Sequence, residues 1–172
     1  MTISNKLTIL RIIMVPIFVA LMMLGYGISA TIVFVVASLT DMLDGYLARK
    51  RNEITNFGKF ADPIADKILV VSALLCLIEN SVVPAWAVII VIAREFIVSG
   101  LRMAAASQSV VIAADGFGKI KTITQMVSIT MLLLGFGWIF GLVAQILFYI
   151  SVVLTFLSGA SYIIKYKEVL MK

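Results

Sequence analysis

The sequence predicts an all-α fold: a polytopic membrane protein built as a bundle of six transmembrane helices, with both termini in the cytoplasm. Three observations predict it, namely the composition, the number of long apolar segments and the distribution of positive charge. Of the 172 residues, 62% are hydrophobic and 13% are charged, and the mean hydropathy is +1.13. Because a water-soluble domain of this size cannot bury so much apolar surface, lipid must solvate most of the chain.

The long apolar segments define the helices. A helix that crosses a membrane needs about 20 mostly apolar residues, and six segments meet this requirement: 6–24, 29–49, 60–78, 83–105, 119–137 and 142–164. The first carries Lys6 and Arg11, as a secretory signal would, but five more segments follow it, which indicates a first crossing. Turn residues separate the segments at Gly25-Tyr26-Gly27, Glu79-Asn80-Ser81 and Gly135 to Gly141, and longer polar stretches do so at Lys50 to Lys59 and Ser107 to Gly118.

Positive charge predicts the orientation of these segments. The first, third and fifth connections contain no Lys or Arg, whereas both termini and the second connection are basic, and Arg102, Lys119 and Lys121 flank the fourth. Under the positive-inside rule, the basic connections and both termini are cytoplasmic. The net charge of +5 then predicts attraction to anionic lipid headgroups, and no aromatic-basic pattern indicates a nucleic-acid partner. Residues 1–172 are predicted to form a single membrane domain.

Four aspartates stand at the predicted cytoplasmic ends of the second and third helices: Asp41, Asp44, Asp62 and Asp66. A charged residue inside a membrane segment costs at least about 2.5 kcal/mol on insertion scales. The first two are three residues apart and the last two are four apart, so each pair shares one helix face. A short connection makes the two helices antiparallel neighbours, which allows the pairs to face each other.

Facing carboxylates in a site of low dielectric constant indicate a bound cation. Four of them cannot all stay ionised unless cations balance them, the alternative being that some are protonated. Carboxylate oxygens suit Mg²⁺ and Mn²⁺, and a pair of such ions stabilises displacement at phosphorus. For one aspartate alone the alternative is a helix cap, with Asp62 as N-cap before Pro63. Histidine is absent, so a general base has to be a carboxylate, Lys or Tyr.

The aspartates belong to a longer pattern, which reads Asp41-x2-Asp44-Gly45-x2-Ala48-Arg49-x8-Gly58-x3-Asp62-x3-Asp66. This pattern resembles the signature of the CDP-alcohol phosphotransferase family at all eight of its positions. The resemblance implies a membrane enzyme, a homodimer, that uses two Mg²⁺ or Mn²⁺ ions to transfer a phosphatidyl group from CDP-diacylglycerol to an alcohol. It implies metal ligation by Asp41, Asp44, Asp62 and Asp66, a general base in Asp66, and CDP-lipid binding by Asp41, Gly45, Ala48, Arg49 and Gly58.

The residues of the expected CDP pocket also admit a simpler interpretation. Gly45, Ala48 and Gly58 leave room for a nucleotide close to a helix backbone, but small residues also pack helices together. Arg49 can pair with a diphosphate through its planar fork, or it can extend from a membrane boundary towards water.

Cations in the second half of the chain favour an acceptor that is itself anionic, such as a phosphorylated alcohol. Arg94 lies near mid-membrane, Glu95 and Arg102 are seven residues apart and can pair, and Lys119 and Lys121 begin the fifth helix. The alternatives are an internal salt-bridge network for Arg94, Glu95 and Arg102, and ordinary positive-inside flanks for the two lysines.

The wider pattern is similar to the branch of the family that uses sn-glycerol 3-phosphate. Its parts are Asn5-x-Leu7-Thr8-x2-Arg11 followed by Pro16, Arg94-Glu95-Phe96-x3-Gly100-Leu101-Arg102, and the run from Gly118 to Gln125. The resemblance implies phosphatidylglycerophosphate and CMP as products, and Arg94, Arg102, Lys119 and Lys121 as acceptor-binding residues, with Thr8 and Arg11 near the site.

Other functions stay open at this point. A sister transferase would use inositol phosphate, serine or phosphatidylglycerol as acceptor. A divalent-cation transporter and an inactive membrane scaffold are more remote, because neither needs the glycines, Ala48 and Arg49 at these spacings. Ser158, Gly159 and Ala160 in the last helix are small residues that give weak support to a dimer contact.

Overall fold

The computed structural model of the protein describes residues 3–51, 56–107, 116–135 and 137–170. These residues form six α-helices, and no strand occurs among them: α1 (Ile3–Met23), α2 (Gly27–Arg51), α3 (Asn56–Glu79), α4 (Ala85–Ser107), α5 (Gly116–Leu134) and α6 (Trp138–Leu170). The all-α class and the six predicted helices are confirmed. Most helix ends fall within about one turn of the expected positions, but α6 continues further, to Leu170.

The turn after α1 shows why the first helix ends where the sequence predicts. Gly25 adopts a φ of +80°, a left-handed conformation that is costly for residues with a Cβ. The Gly25 amide donates to the carbonyl of Met22 at 3.1 Å, and the Tyr26 amide donates to that of Leu21 at 2.9 Å. This pair of hydrogen bonds is the Schellman ending of a helix, which satisfies its last carbonyls.

Two predicted connections are shorter than expected. Gly27 was placed in the turn, but it is the first residue of α2, and its carbonyl accepts a 2.8 Å hydrogen bond from the Thr31 hydroxyl. Gly141 was placed in the last connection, but its amide donates to the carbonyl of Gly137 at 3.0 Å, so it lies in the first turn of α6. In both cases a backbone group of the glycine takes part in the hydrogen bonds of the helix. The turn itself is formed by other residues.

The chain divides into two compact units, Met1–Ser81 with Leu133–Gly135, and Val82–Leu132 with Phe136–Lys172. In unit 1, α1 packs against both α2 and α3, which also contact each other. The ring centroids of Phe18 on α1 and Phe34 on α2 are 5.9 Å apart. Ala30, Ala37 and Ala73 are fully buried, as expected where small residues let helix backbones approach closely.

In unit 2, α4 packs against α6, and three side-chain pairs establish that the two helices run in the same direction. Trp86 stacks on Tyr149, Arg94 bonds to Ser158, and Arg102 bonds to Tyr162. The residue numbers increase together along both helices. Parallel α4 and α6 are what six alternating crossings require, because one crossing, α5, separates them.

Several polar side chains are buried in the structure, and many large apolar ones are exposed. Large apolar side chains are exposed on all six helices, from Ile13 on α1 to Ile164 on α6, whereas Arg11, Lys121 and Gln125 are buried. Exposed apolar area this extensive is uncommon for a protein in water. The distribution is typical of helices solvated by lipid and joined through polar contacts.

Within the described residues, one helix is long and apolar enough to cross a membrane by length and composition, namely Trp138–Tyr166 in α6. Shorter apolar stretches occupy Leu7–Met23, Gly27–Thr40 and Ile120–Leu134. The backbone leaves helical geometry at Tyr166, with φ −117° and ψ 21°, where the apolar part of α6 ends. The six crossings and the cytoplasmic position of both termini stay predictions.

Candidate active site

The aspartate pattern occupies the C-terminal part of α2 and the N-terminal part of α3. Asp41 and Asp44 lie within Gly27–Arg51, and Asp62 and Asp66 lie within Asn56–Glu79. Since α3 begins at Asn56, Asp62 is well inside the helix. The alternative that Asp62 is an N-cap is therefore wrong. The two pairs of aspartates therefore lie on two helices that contact each other and that both pack against α1.

The side chains of the pattern lie outside the described residues. This holds for the expected metal ligands, for the general base and for the CDP pocket, that is, for Asp41, Asp44, Gly45, Ala48, Arg49, Gly58, Asp62 and Asp66. Among the side chains that are described, no group of three or more acidic, Cys or His residues is placed to hold a metal ion. The roles of the eight residues stay predictions.

Helix α1 contributes two buried polar residues to unit 1. Thr8 is 0% exposed and Arg11 is 1% exposed. They are three residues apart, which places them on one face of α1. A buried guanidinium is costly unless opposite charge accompanies it, and α1 packs against the two helices that carry the aspartates.

A cluster of charged residues joins α4 to α5 in unit 2. One carboxylate oxygen of Glu95, Oε1, accepts a hydrogen bond from Arg94 Nη1 at 3.0 Å and a second one from Lys121 Nζ. The side chains of Arg94, Glu95 and Lys121 are 11%, 17% and 3% exposed. Two of the predicted acceptor-binding cations therefore meet at a single, largely desolvated carboxylate.

Helix α6 holds the two arginines with uncharged groups. Arg94 Nη2 donates to the Ser158 hydroxyl at 2.8 Å, and Arg102 Nη2 donates to the Tyr162 hydroxyl at 2.8 Å. The guanidinium carbons of Arg94 and Arg102 lie 5.9 and 5.5 Å from the centre of the Tyr162 ring, within the range of a cation–π interaction. Arg94 is partly buried, whereas Arg102 is exposed.

The charges of this cluster do not balance within the described part of the chain. Arg94 and Lys121 share the one carboxylate of Glu95, whereas Arg102 bonds to the Tyr162 hydroxyl in place of its predicted pairing with Glu95. The internal salt-bridge network is thus only partly formed. Arg94 Nε is also buried and has no hydrogen-bond partner among the described residues. An arrangement of this kind can bind an anion. The side chain of Lys119, the fourth predicted cation, lies outside the described residues.

Helix α6 contributes polar residues to this cluster that were not predicted from the sequence. Ser151, Thr155, Ser158 and Tyr162 are all buried, and their spacing of three or four residues places them on one face of α6. Polar residues repeated along one face of an otherwise apolar helix were the sequence signal that could have predicted them. Ser158 and Gly159 are two of the three small residues that gave weak support to a dimer contact, but both are buried against Arg94 of the same chain. They therefore give no support to a dimer.

Comparison with known proteins identifies the family. A model described as CDP-alcohol phosphatidyltransferase matches residues 1–157. The chain belongs to this family. The match extends well beyond the 26-residue aspartate pattern and covers α1 to α5 and most of α6. The family that the eight-position motif predicted is confirmed.

Curated members of the CDP-alcohol phosphatidyltransferase family resemble this chain over most of their length. A Bacillus subtilis (strain 168) protein is 40% identical, with 96% of this chain and 95% of the relative covered. A Rickettsia typhi protein is 39% identical, with 92% of this chain and 93% of the relative covered. A Haemophilus influenzae protein is 41% identical, with 91% of this chain and 89% of the relative covered. Each of the three is named CDP-diacylglycerol–glycerol-3-phosphate 3-phosphatidyltransferase.

Proposed function

We propose that this family member transfers the phosphatidyl group of CDP-diacylglycerol to sn-glycerol 3-phosphate, which yields phosphatidylglycerophosphate and CMP. The observation that carries the proposal is the cluster in unit 2, where Arg94 and Lys121 share the carboxylate of Glu95 and Arg102 bonds to the uncharged hydroxyl of Tyr162. A phosphorylated acceptor supplies the negative charge that such a cluster lacks, whereas a neutral acceptor such as serine needs fewer cations. The names of the relatives support the same acceptor.

The reaction is an in-line displacement at phosphorus. Asp66 takes the proton from the acceptor hydroxyl, and the acceptor oxygen forms a bond to the phosphorus that carries the diacylglycerol. The bond from that phosphorus to the bridging oxygen of the diphosphate breaks, and CMP leaves with the electron pair. Arg49 lies near the nucleotide phosphates and helps to hold their charge. No covalent enzyme intermediate is needed.

The aspartates suit a divalent metal ion. Asp41, Asp44, Asp62 and Asp66 supply only carboxylate oxygens, which are hard ligands that Mg²⁺ and Mn²⁺ prefer over softer donors. They lie on two helices that are in contact, and two divalent ions would balance their four negative charges. When bound, such ions stabilise the charge of the attacking and leaving oxygens at phosphorus.

The acceptor and the nucleotide are assigned to different residues. Arg94, Arg102, Lys119 and Lys121 bind the acceptor phosphate by charge-assisted hydrogen bonds, with Thr8 and Arg11 near the site. Gly45, Ala48 and Gly58 leave space for the cytidine diphosphate, which Asp41 also contacts. The whole chain from 1 to 172 acts as one membrane domain in this proposal.

A location in the bacterial cytoplasmic membrane fits the surface of the protein. Six helices with exposed apolar side chains and the parallel course of α4 and α6 support six crossings. The basic second connection and the fourth connection, which Arg102, Lys119 and Lys121 flank, then face the cytoplasm, with the active site on that side. A homodimer stays a prediction from the family resemblance.

The proposal is tested by measuring CMP release from CDP-diacylglycerol with the purified protein and Mg²⁺ or Mn²⁺. Separate reactions contain sn-glycerol 3-phosphate, inositol phosphate, serine or phosphatidylglycerol, and one reaction contains EDTA. We expect metal-dependent release with sn-glycerol 3-phosphate alone. Release with another acceptor would contradict the proposed acceptor but would leave the proposed role of the aspartates unchanged. No release from any of them, by a folded protein that binds divalent ions, would favour a transporter.

A further inference from the structure

Beyond the one carboxylate of Glu95, which Arg94 shares with Lys121, the two arginines on α4 are held by uncharged groups. Ser158 accepts from Arg94 and Tyr162 accepts from Arg102, each at 2.8 Å. Both acceptors are 2% exposed, so each hydrogen bond is sheltered from water. A buried carboxylate at either position would orient a guanidinium at least as firmly, but it would also cancel its charge.

The Tyr162 ring adds attraction without adding a formal charge. Its centre lies 5.9 Å from the Arg94 guanidinium carbon and 5.5 Å from that of Arg102. The face of an aromatic ring attracts cations through its quadrupole, so one ring offsets part of the repulsion between two like charges. The ring thereby helps to hold the α4 arginines near each other. Because Glu95 is the one carboxylate paired with Arg94 and Lys121 among the described residues, the cluster of these cations and Arg102 keeps a net positive charge for a ligand.

We propose that Ser158 and Tyr162 are positioning residues that hold Arg94 and Arg102 through neutral contacts, and that this neutral support makes the enzyme select a phosphorylated acceptor. The inference rests on the proposed function, because it assigns the two arginines to the acceptor phosphate. It goes further because it names the residues on α6 that hold the two arginines without adding negative charge where the acceptor phosphate binds. The physical reason is that a phosphate monoester binds to unneutralised cations, whereas an uncharged alcohol gains nothing from them.

A matched pair of substitutions separates charge from shape. Ser158→Asp and Ser158→Asn introduce side chains of nearly equal size at one buried position, so they disturb packing alike, and only Asp adds a second negative charge beside Arg94, next to that of Glu95. We expect Ser158→Asp to raise the KM for sn-glycerol 3-phosphate at least about tenfold above that of Ser158→Asn. The KM for CDP-diacylglycerol should be the same in both. Competitive inhibition by inorganic phosphate should weaken by the same factor in the Asp variant.

Tyr162 provides an independent test if both Ser158 variants fail to fold. Tyr162→Phe keeps the ring face and loses the hydrogen bond to Arg102, whereas Tyr162→Leu loses both. We expect the KM for sn-glycerol 3-phosphate to rise roughly three- to tenfold in the Phe variant and further in the Leu variant. Tyr149→Leu is the control, since Tyr149 lies on the same helix and stacks on Trp86, and its acceptor KM should stay within about twofold.

The outcomes distinguish this inference from the proposed function. If the unsubstituted protein releases CMP only with a neutral acceptor, the proposed function fails. If it uses sn-glycerol 3-phosphate but Ser158→Asp and Ser158→Asn have equal acceptor KM values, this inference alone is overturned. A rise in the KM for CDP-diacylglycerol instead would assign the arginines to the nucleotide diphosphate, which also overturns it.

Discussion

The side chain of Arg94 lies directly against the backbone of Gly159. A Cβ added to Gly159 would stand 2.9 Å from Arg94 Cγ and 3.7 Å from Arg94 Cβ. Real Cβ atoms do not approach so closely, so the Arg94 side chain or one of the two helices has to shift before any larger residue fits. The glycine is therefore required for α4 and α6 to approach at the point where Arg94 Nη2 reaches Ser158.

We predict that Gly159→Ala displaces Arg94 and weakens acceptor binding. The added methyl group meets the stem of the arginine near its backbone, where the side chain cannot simply swing away. The KM for sn-glycerol 3-phosphate should rise about tenfold, a loss equivalent to about 1.4 kcal/mol. The control is Gly141→Ala, because an added Cβ at Gly141, also on α6, meets nothing within 4 Å. Equal kinetics for the two variants would contradict the prediction.

We predict that Arg94→Ala raises the KM for sn-glycerol 3-phosphate more than the KM for CDP-diacylglycerol. A hydrogen bond to a charged group contributes about 1.5–3 kcal/mol, so the acceptor KM should rise by at least about tenfold. Steady-state kinetics with each substrate varied in turn would measure both constants. Lys165→Ala removes an exposed cation on α6 and should change neither constant by more than about twofold. An equal rise in both constants would indicate structural damage instead.

We predict that Glu95→Gln destabilises the protein and makes its stability more dependent on phosphate. Glu95 joins Arg94 to Lys121, and removing the charge of one partner from a buried pair costs about 3 kcal/mol. The midpoint of thermal unfolding should fall, and sn-glycerol 3-phosphate should raise that midpoint more than it does in the unsubstituted protein. Glu79→Gln, at the exposed end of α3, should change neither value. A ligand effect equal to that of the unsubstituted protein would show that the acceptor phosphate does not bind beside Glu95.

We predict that Asp66→Asn abolishes turnover while substantial binding of CDP-diacylglycerol remains. The variant loses the general base but keeps the carboxylates of Asp41, Asp44 and Asp62. The rate of CMP release should fall by a factor on the order of 10²–10⁴, whereas Glu79→Gln on the same helix should keep the full rate. Near-normal turnover in the Asn variant would exclude Asp66 as the base.

We predict that α4 and α6 both begin on the outer side of the membrane. Single cysteines at Ser81 and Trp138, in a protein whose Cys76 is replaced by Ser, should react with a membrane-impermeant maleimide in intact cells. A cysteine at Lys165 should react only after the cells are permeabilised. Labelling of Ser81→Cys and Trp138→Cys from opposite sides would contradict the six-crossing topology.

The sequence predicted the helices well because lipid imposes a simple requirement. Every backbone group in the hydrocarbon must be satisfied within its own segment, so a long apolar stretch becomes a helix. The errors occurred at glycines such as Gly27 and Gly141, which begin or end a helix according to which hydrogen bonds form. Only Gly25, Gly135, Gly137 and Ser81 adopt a positive φ among the described residues, and composition does not separate them from the other turn residues.

The family was determined by the sequence alone, because eight residues at fixed spacing lie within 26 positions and their chemistry depends on residue type and helix period. The partners of Arg94 and Arg102 were decided by the tertiary structure. Glu95 and Arg102 share a helix face, yet Arg102 bonds to Tyr162, 60 residues later in the chain. Helical spacing specifies which side chains can meet within one helix. The contact between α4 and α6 depends on how closely their backbones approach, and Gly159 permits that approach at Arg94.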